Sequence, residues 1–215
     1  MMMLEKNPQI LLDEPIAKES LIIFKFFNDF NYPLQNLLNF FSNYLKKKCQ
    51  KEDLNEKTLF LIALNYENYC YLNKIQMEND FISKIIQDFL TISSTKEVDL
   101  KNLIYCYFLC KVHHRNDSSI LNQQLTFFEN MVFKNEKKFN FEKDFYFECL
   151  RFMVDISDLS GSEKIDDFLR IKTINNAYNH EANILYNVYQ TINNEDHPFF
   201  QREVILYHFL LLIFC

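Results

Sequence analysis

One glycine, Gly161, serves all 215 residues of this chain. Glycine is the residue that takes positive φ without strain and lets backbone come close to a neighbour or a ligand. Tight β-hairpins, phosphate-cradling loops and dinucleotide fingerprints all lean on it. So does the G-x-S-x-G nucleophile elbow. With a single glycine none of these is built in its usual form, and turn-rich sheet folds are disfavoured. Long helices joined by short polar loops are the natural solution.

The apolar pattern agrees. Leu34, Leu37, Leu38, Phe41 and Leu45 form one stripe, Ile82, Ile85, Ile86 and Phe89 a second, and Leu121, Leu125, Phe128 and Val132 a third. Each recurs at three- and four-residue spacing with polar residues behind it, the mark of an amphipathic helix. The breaks are regular too. Asn31-Tyr32-Pro33 stops a helix because the residue before proline avoids the α region. Ser94 with Glu97 has capping-box spacing. Asp117 or Ser118 offers an N-cap, as does Ser160 or Ser162 beside the glycine. Pro198 suits a first helical turn. The pattern predicts about ten helices, over 16–31, 34–48, 56–75, 79–92, 98–114, 118–134, 141–156, 162–172, 175–192 and 199–214.

An apolar triplet marks the first helix of each pair: Ile23/Phe24/Phe27, Ile62/Ala63/Tyr66, Leu103/Ile104/Tyr107, Phe145/Tyr146/Cys149 and Ile184/Leu185/Val188. A helix–turn–helix unit of about 40 residues is the period of an α-solenoid. The expected fold is therefore all-α, a single domain over 1–215. Its antiparallel hairpins would stack over 16–48, 56–92, 98–134, 141–172 and 175–214. A closed helical bundle is the alternative.

Charge and composition narrow the function. The formal net charge is −6, and the basic residues are 19 Lys against 4 Arg. Nucleic-acid binders usually carry a basic surplus, and arginine is the usual choice for bidentate phosphate recognition, so no nucleic-acid partner is expected. The six cysteines are spread through helical segments and lack the density of a disulfide scaffold. The start of the chain shows no signal peptide, and the apolar run 204–215 is shorter than the roughly 20 residues of a membrane span. The reading is a cytoplasmic chain with no membrane span. The 199–215 segment is apolar nearly all round and offers a docking helix for a homo- or hetero-oligomer.

Several clusters bear on chemistry. Cys106, Cys110, His113 and His114 share a helix face in LIYCYFLCKVHH, and Cys-x3-Cys-x2-His is half of a zinc site. The plainer reading is that both thiols fill a core and the histidines sit at a helix C-terminus, where positive charge is favoured. His180 and Glu181 do not complete H-E-x-x-H, since Ile184 stands where the second histidine would be, and His208 reads as a core histidine. DLSGSEK (158–164) resembles a phosphate-contacting turn but reads first as a helix N-cap. Lys46, Lys47 and Lys48, with a second lysine group at 134–138, read first as complements to helix C-terminal dipoles and offer a weak anionic contact. Tyr66, Tyr69 and Tyr71 cannot all face inward on one helix, and exposed tyrosine is enriched at protein contacts, while the plainer reading is packing against the next hairpin.

The expectation is a non-catalytic, helical protein-binding module, such as an adaptor, inhibitor or immunity-type protein that masks a basic partner, with no cofactor. The alternatives are a helical enzyme with a metal site on Cys106, Cys110 and His113, and a helical subunit docking through its C-terminal helix.

Overall fold

The computed structural model describes residues 56–75 and 80–176, with Asn39, Ser42 and Asn43 ahead of them. Among the described residues there are six α-helices and no strand. They are α1 (Glu56–Leu72), α2 (Asp80–Ser93), α3 (Leu100–His113), α4 (Ser118–Lys134), α5 (Lys143–Asp155) and α6 (Glu163–Asn176), with one 3-10 turn over Glu136–Lys138. The helices expected over 16–31 and 199–214, and most of those over 34–48 and 175–192, lie outside the described residues, as do Lys46, Lys47, Lys48, His180 and His208. The chain packs as two units, one of Met1–Asn135 with Asp158–Gly161, the other of Glu136–Ser157 with Ser162–Cys215.

In the first unit α3 is the central element. It packs most extensively on α1 and also contacts α4 and α2. Every residue from Asn102 to Val112 is buried. Such a helix has no solvent face and must be covered on all sides. Tyr107, Phe108 and Phe128 are among the largest fully buried side chains, and the Tyr107 and Phe128 rings meet edge to face at 5.8 Å. α2 is the contrasting case. It buries Phe81, Ile82, Ile85, Ile86 and Phe89 and leaves Ser83, Lys84, Gln87 and Asp88 in solvent.

The helix ends are set by side chains. Asp99 caps α3, its Oδ1 accepting from the Lys101 and Asn102 amides at 2.8 and 3.3 Å. Ser94, expected as a cap, instead donates back to the Thr91 carbonyl at the end of α2, 2.7 Å away. Asp117 caps α4 by accepting from Ser119 and Ile120. Ser162 caps α6 by accepting from the Ile165 amide at 3.2 Å.

Glycine poverty shows at two places. α1 ends in a Schellman pattern: the Ile75 amide donates to the Cys70 carbonyl and the Lys74 amide to the Tyr71 carbonyl. The left-handed residue this motif requires is usually glycine, and here it is Lys74, at φ 55°. Gly161 has no positive φ. Its role is close approach, since a Cβ there would stand 2.6 Å from Lys111 Cε and 2.7 Å from the Tyr107 hydroxyl.

The second unit pairs α5 with α6. Phe139 bridges them to the preceding loop, its ring 5.1 Å from Phe141 and 5.2 Å from Phe168. Phe141 in turn lies 4.4 Å from Phe145.

Two substitutions test this account by thermal or urea unfolding. Lys74→Gly relieves a left-handed strain of about 1 kcal/mol and raises stability by up to that amount. Gly161→Ala forces the buried Lys111 and Tyr107 side chains apart and lowers stability by about 1 kcal/mol, the low end for overpacking because a lysine stem can bend.

Candidate functional site

The C-terminal end of α3 meets the second half of α1 and the first turn of α2. Three polar side chains converge there, one from each helix. Glu67 is on α1 and buried at 7% exposure, Ser83 is on α2 and exposed, and His113 is the last residue of α3. His113 Nδ1 lies 3.3 Å from Glu67 Oε1. His113 Nε2 lies 2.8 Å from Ser83 Oγ. A carboxylate only accepts, so Nδ1–H donates to Glu67. The neutral ring then has Nε2 free to accept from the Ser83 hydroxyl. The order is hydroxyl, imidazole, carboxylate.

The local sequence accounts for the placement. α3 is fixed along its length by burial, and Lys111 and Val112 are still inside the core. His113 is the first residue of that helix to emerge. Beside it the His114 ring packs edge to face at 4.9 Å. Burial disfavours the His114 imidazolium, and the neighbouring His113 adds to this, so its pKa falls below the ordinary histidine value against the opposing pull of Asp117 and Glu67. Asp117 is held below the usual carboxylate value by the Ser119 hydroxyl and the Ile120 amide.

A second polar group forms nearby. Tyr71 donates to Asp158, and the Arg115 guanidinium stands 5.6 Å from the Tyr71 ring centre. Arg115 Nη2 also donates to the Ile75 carbonyl at 3.4 Å. Burial, and then the Asp158 carboxylate, push the Tyr71 phenol above its ordinary value. Cys70 is pushed up to about 12 by burial and by Glu67, against the pull of Arg115, so its thiol stays protonated and inert.

Cys106 and Cys110 are completely buried one turn apart on α3. Burial, and then the Cys110 thiol beside it, hold Cys106 well above the ordinary thiol value. His113 turns to Ser83 and Glu67. Among the described residues no group of three or more His, Cys, Asp or Glu is arranged to hold a metal ion. Tyr66 and Tyr69 are 0% and 3% exposed, inside the chain's own core, because α1 is covered rather than one-sided. Only Tyr71 is half-buried, and it is engaged with Asp158 and Arg115. Of the second lysine group, Lys134, Lys137 and Lys138 are exposed. Ser83 and Glu67 carry no sequence signal, being 30 and 46 positions from His113 with no local motif to join them.

At the opposite end of the same two helices lies a pocket. Leu59 and Phe60 of α1, Ile85, Phe89 and Ile92 of α2, and Val98 give it an apolar lining, and Asp88, Glu97 and Asp99 add carboxylates. Within this lining the Phe60 and Phe89 rings meet edge to face at 5.0 Å. Ile92 is 42% exposed at its mouth. No protein-family model matches this chain, and neither a curated protein nor a solved structure matches it significantly.

The depressed pKa of His114 has a stability consequence with a definite sign. The fold binds fewer protons at this residue than the unfolded chain does. Its contribution is intact above the ordinary histidine value near 6.5 and is lost as pH falls below that value. The melting temperature is expected to begin falling just below pH 6.5, well above the carboxylate range. In His114→Asn that early fall is reduced. Melting curves of the two proteins from pH 8 to pH 5 check it.

Proposed function

We propose that this chain is a helical protein-binding module that receives a basic, partly apolar segment of a partner protein. The supporting observation is the α1–α2 pocket, which combines an apolar lining and an exposed Ile92 with three carboxylates. An apolar floor with a like-charged rim suits an anchor side chain flanked by lysine or arginine. The net charge of −6 supports the same sign of partner and steers its approach. Stacked helical hairpins would present such a pocket on an extended surface. The packing of α3 against α1, the first helices of two successive hairpins, supports that arrangement. A cytoplasmic setting goes with thiols that are buried and form no disulfide at Cys70, Cys106, Cys110 and Cys149. No helix among the described residues is long and apolar enough to cross a membrane.

The test is affinity capture from native lysate with three proteins in parallel: wild type, Ile92→Asp, and the double reversal Asp88→Lys/Glu97→Lys. A partner with a basic binding segment should be retained by wild type in salt-sensitive fashion. Each variant should weaken it at least tenfold, about 1.4 kcal/mol. The same proteins captured equally by all three would remove the pocket from the interface.

A further inference from the structure

We infer that Ser83, His113 and Glu67 form a nucleophilic serine centre competent for acyl transfer from small esters. The inference stands apart from the binding pocket, which lies at the other end of α1 and α2. It rests on the convergence of three side chains from three helices, Ser83 Oγ 2.8 Å from His113 Nε2 and His113 Nδ1 3.3 Å from Glu67 Oε1. A serine hydroxyl is a weak nucleophile until a base takes its proton, and that base must itself be oriented by a third group. Here each requirement is met by a separate residue. Ser83 would be the nucleophile and His113 the general base. Glu67 is a positioning residue, which holds the ring in the Nδ1–H tautomer and stabilises the imidazolium that forms.

Burial is graded along the chain of groups in the direction the chemistry needs. Glu67 is inside, His113 is half-buried, and Ser83 is exposed. The carboxylate is therefore shielded from water where it acts on the ring, and the reacting oxygen is open to substrate. Ser83 also lies in the first turn of α2, the fourth residue of Asp80–Ser93. The positive end of the helix dipole favours negative charge developing there. An open surface position suits a small ester that needs no deep binding cavity. The nucleophile elbow that a one-glycine chain cannot build is replaced by a serine on a helix.

The steps balance. Ser83 Oγ attacks the ester carbonyl as its proton passes to His113 Nε2. The carbonyl carbon–alkoxy oxygen bond breaks, and the alkoxide leaves with the proton from His113, giving an acyl-serine and an alcohol. Water then attacks the acyl-serine, its proton passing to His113. Breaking the Oγ–acyl bond returns that proton to Ser83 and releases the carboxylic acid.

The experiment uses a fluorophosphonate, which forms an Oγ–phosphorus bond with release of fluoride. Intact-mass and peptide mass spectrometry should find one adduct per chain, on Ser83. Folded wild type should react at least 100-fold faster than the same chain in urea, and Ser83→Ala should give no adduct. Ser83 is exposed, so that variant is expected to fold, and its melting curve checks this. In Glu67→Gln the labelling rate should fall, and the nitrogen-15 signals of the His113 ring should move away from the single Nδ1–H form, because an amide at this place can donate as well as accept. A merely structural role for Glu67 would leave those ring signals in place. No adduct, an adduct elsewhere, labelling of Ser83→Ala, or a rate equal to that of the unfolded chain would each overturn the assignment.

Discussion

The burial of α3 on every side is the constraint on which the first unit depends. Leu103, Ile104, Phe108 and Leu109 are 0% exposed, and each such side chain contributes about 1.5–3 kcal/mol by leaving water. A helix in this state has no freedom to rotate about its axis, since any turn would bring a neighbour's large ring against the wrong side chain. α1, α2 and α4 are arranged around it. The one glycine is used where the 158–161 loop closes over Tyr107 and Lys111 of this helix.

Because α3 is fixed, the residue at its exit is fixed as well. His113 leaves the core between α1 and α2, and its two nitrogens find Glu67 on one side and Ser83 on the other. The geometry follows from packing that is mostly apolar and far from the polar residues. The same two helices carry at their other end the acid-rimmed pocket under Ile92. One short stack of helices thus holds two chemically different ends.

Much of the helical layout was legible in the sequence. The 118–134 prediction coincides with Ser118–Lys134, and Asp117 caps it as the spacing implies. Glycine poverty and three- and four-residue periodicity carry that information locally. Tyr66 and Tyr69 lie inside the core on a helix that also carries Asn65, Glu67 and Asn68. All three are buried. Asn65 satisfies its amide locally by donating to the Leu61 carbonyl at 2.8 Å, and Glu67 does so through His113, so polarity there does not report exposure. The junction of Ser83, His113 and Glu67 was not legible, since three residues 16 and 30 positions apart along the chain are joined only by the crossing of three helices. In the sequence His113 groups with the cysteines on its own helix, which lie inside the core.

The measurement that tests the central claim most directly is the tautomeric state of the His113 ring, read from its two ring nitrogens by nitrogen-15 NMR at neutral pH. The account predicts the neutral Nδ1–H form, with a bare Nε2 that accepts from Ser83. An Nε2–H ring, or the averaged pair of tautomers of a freely solvated histidine, would contradict the arrangement of carboxylate, imidazole and hydroxyl set up by the burial of α3.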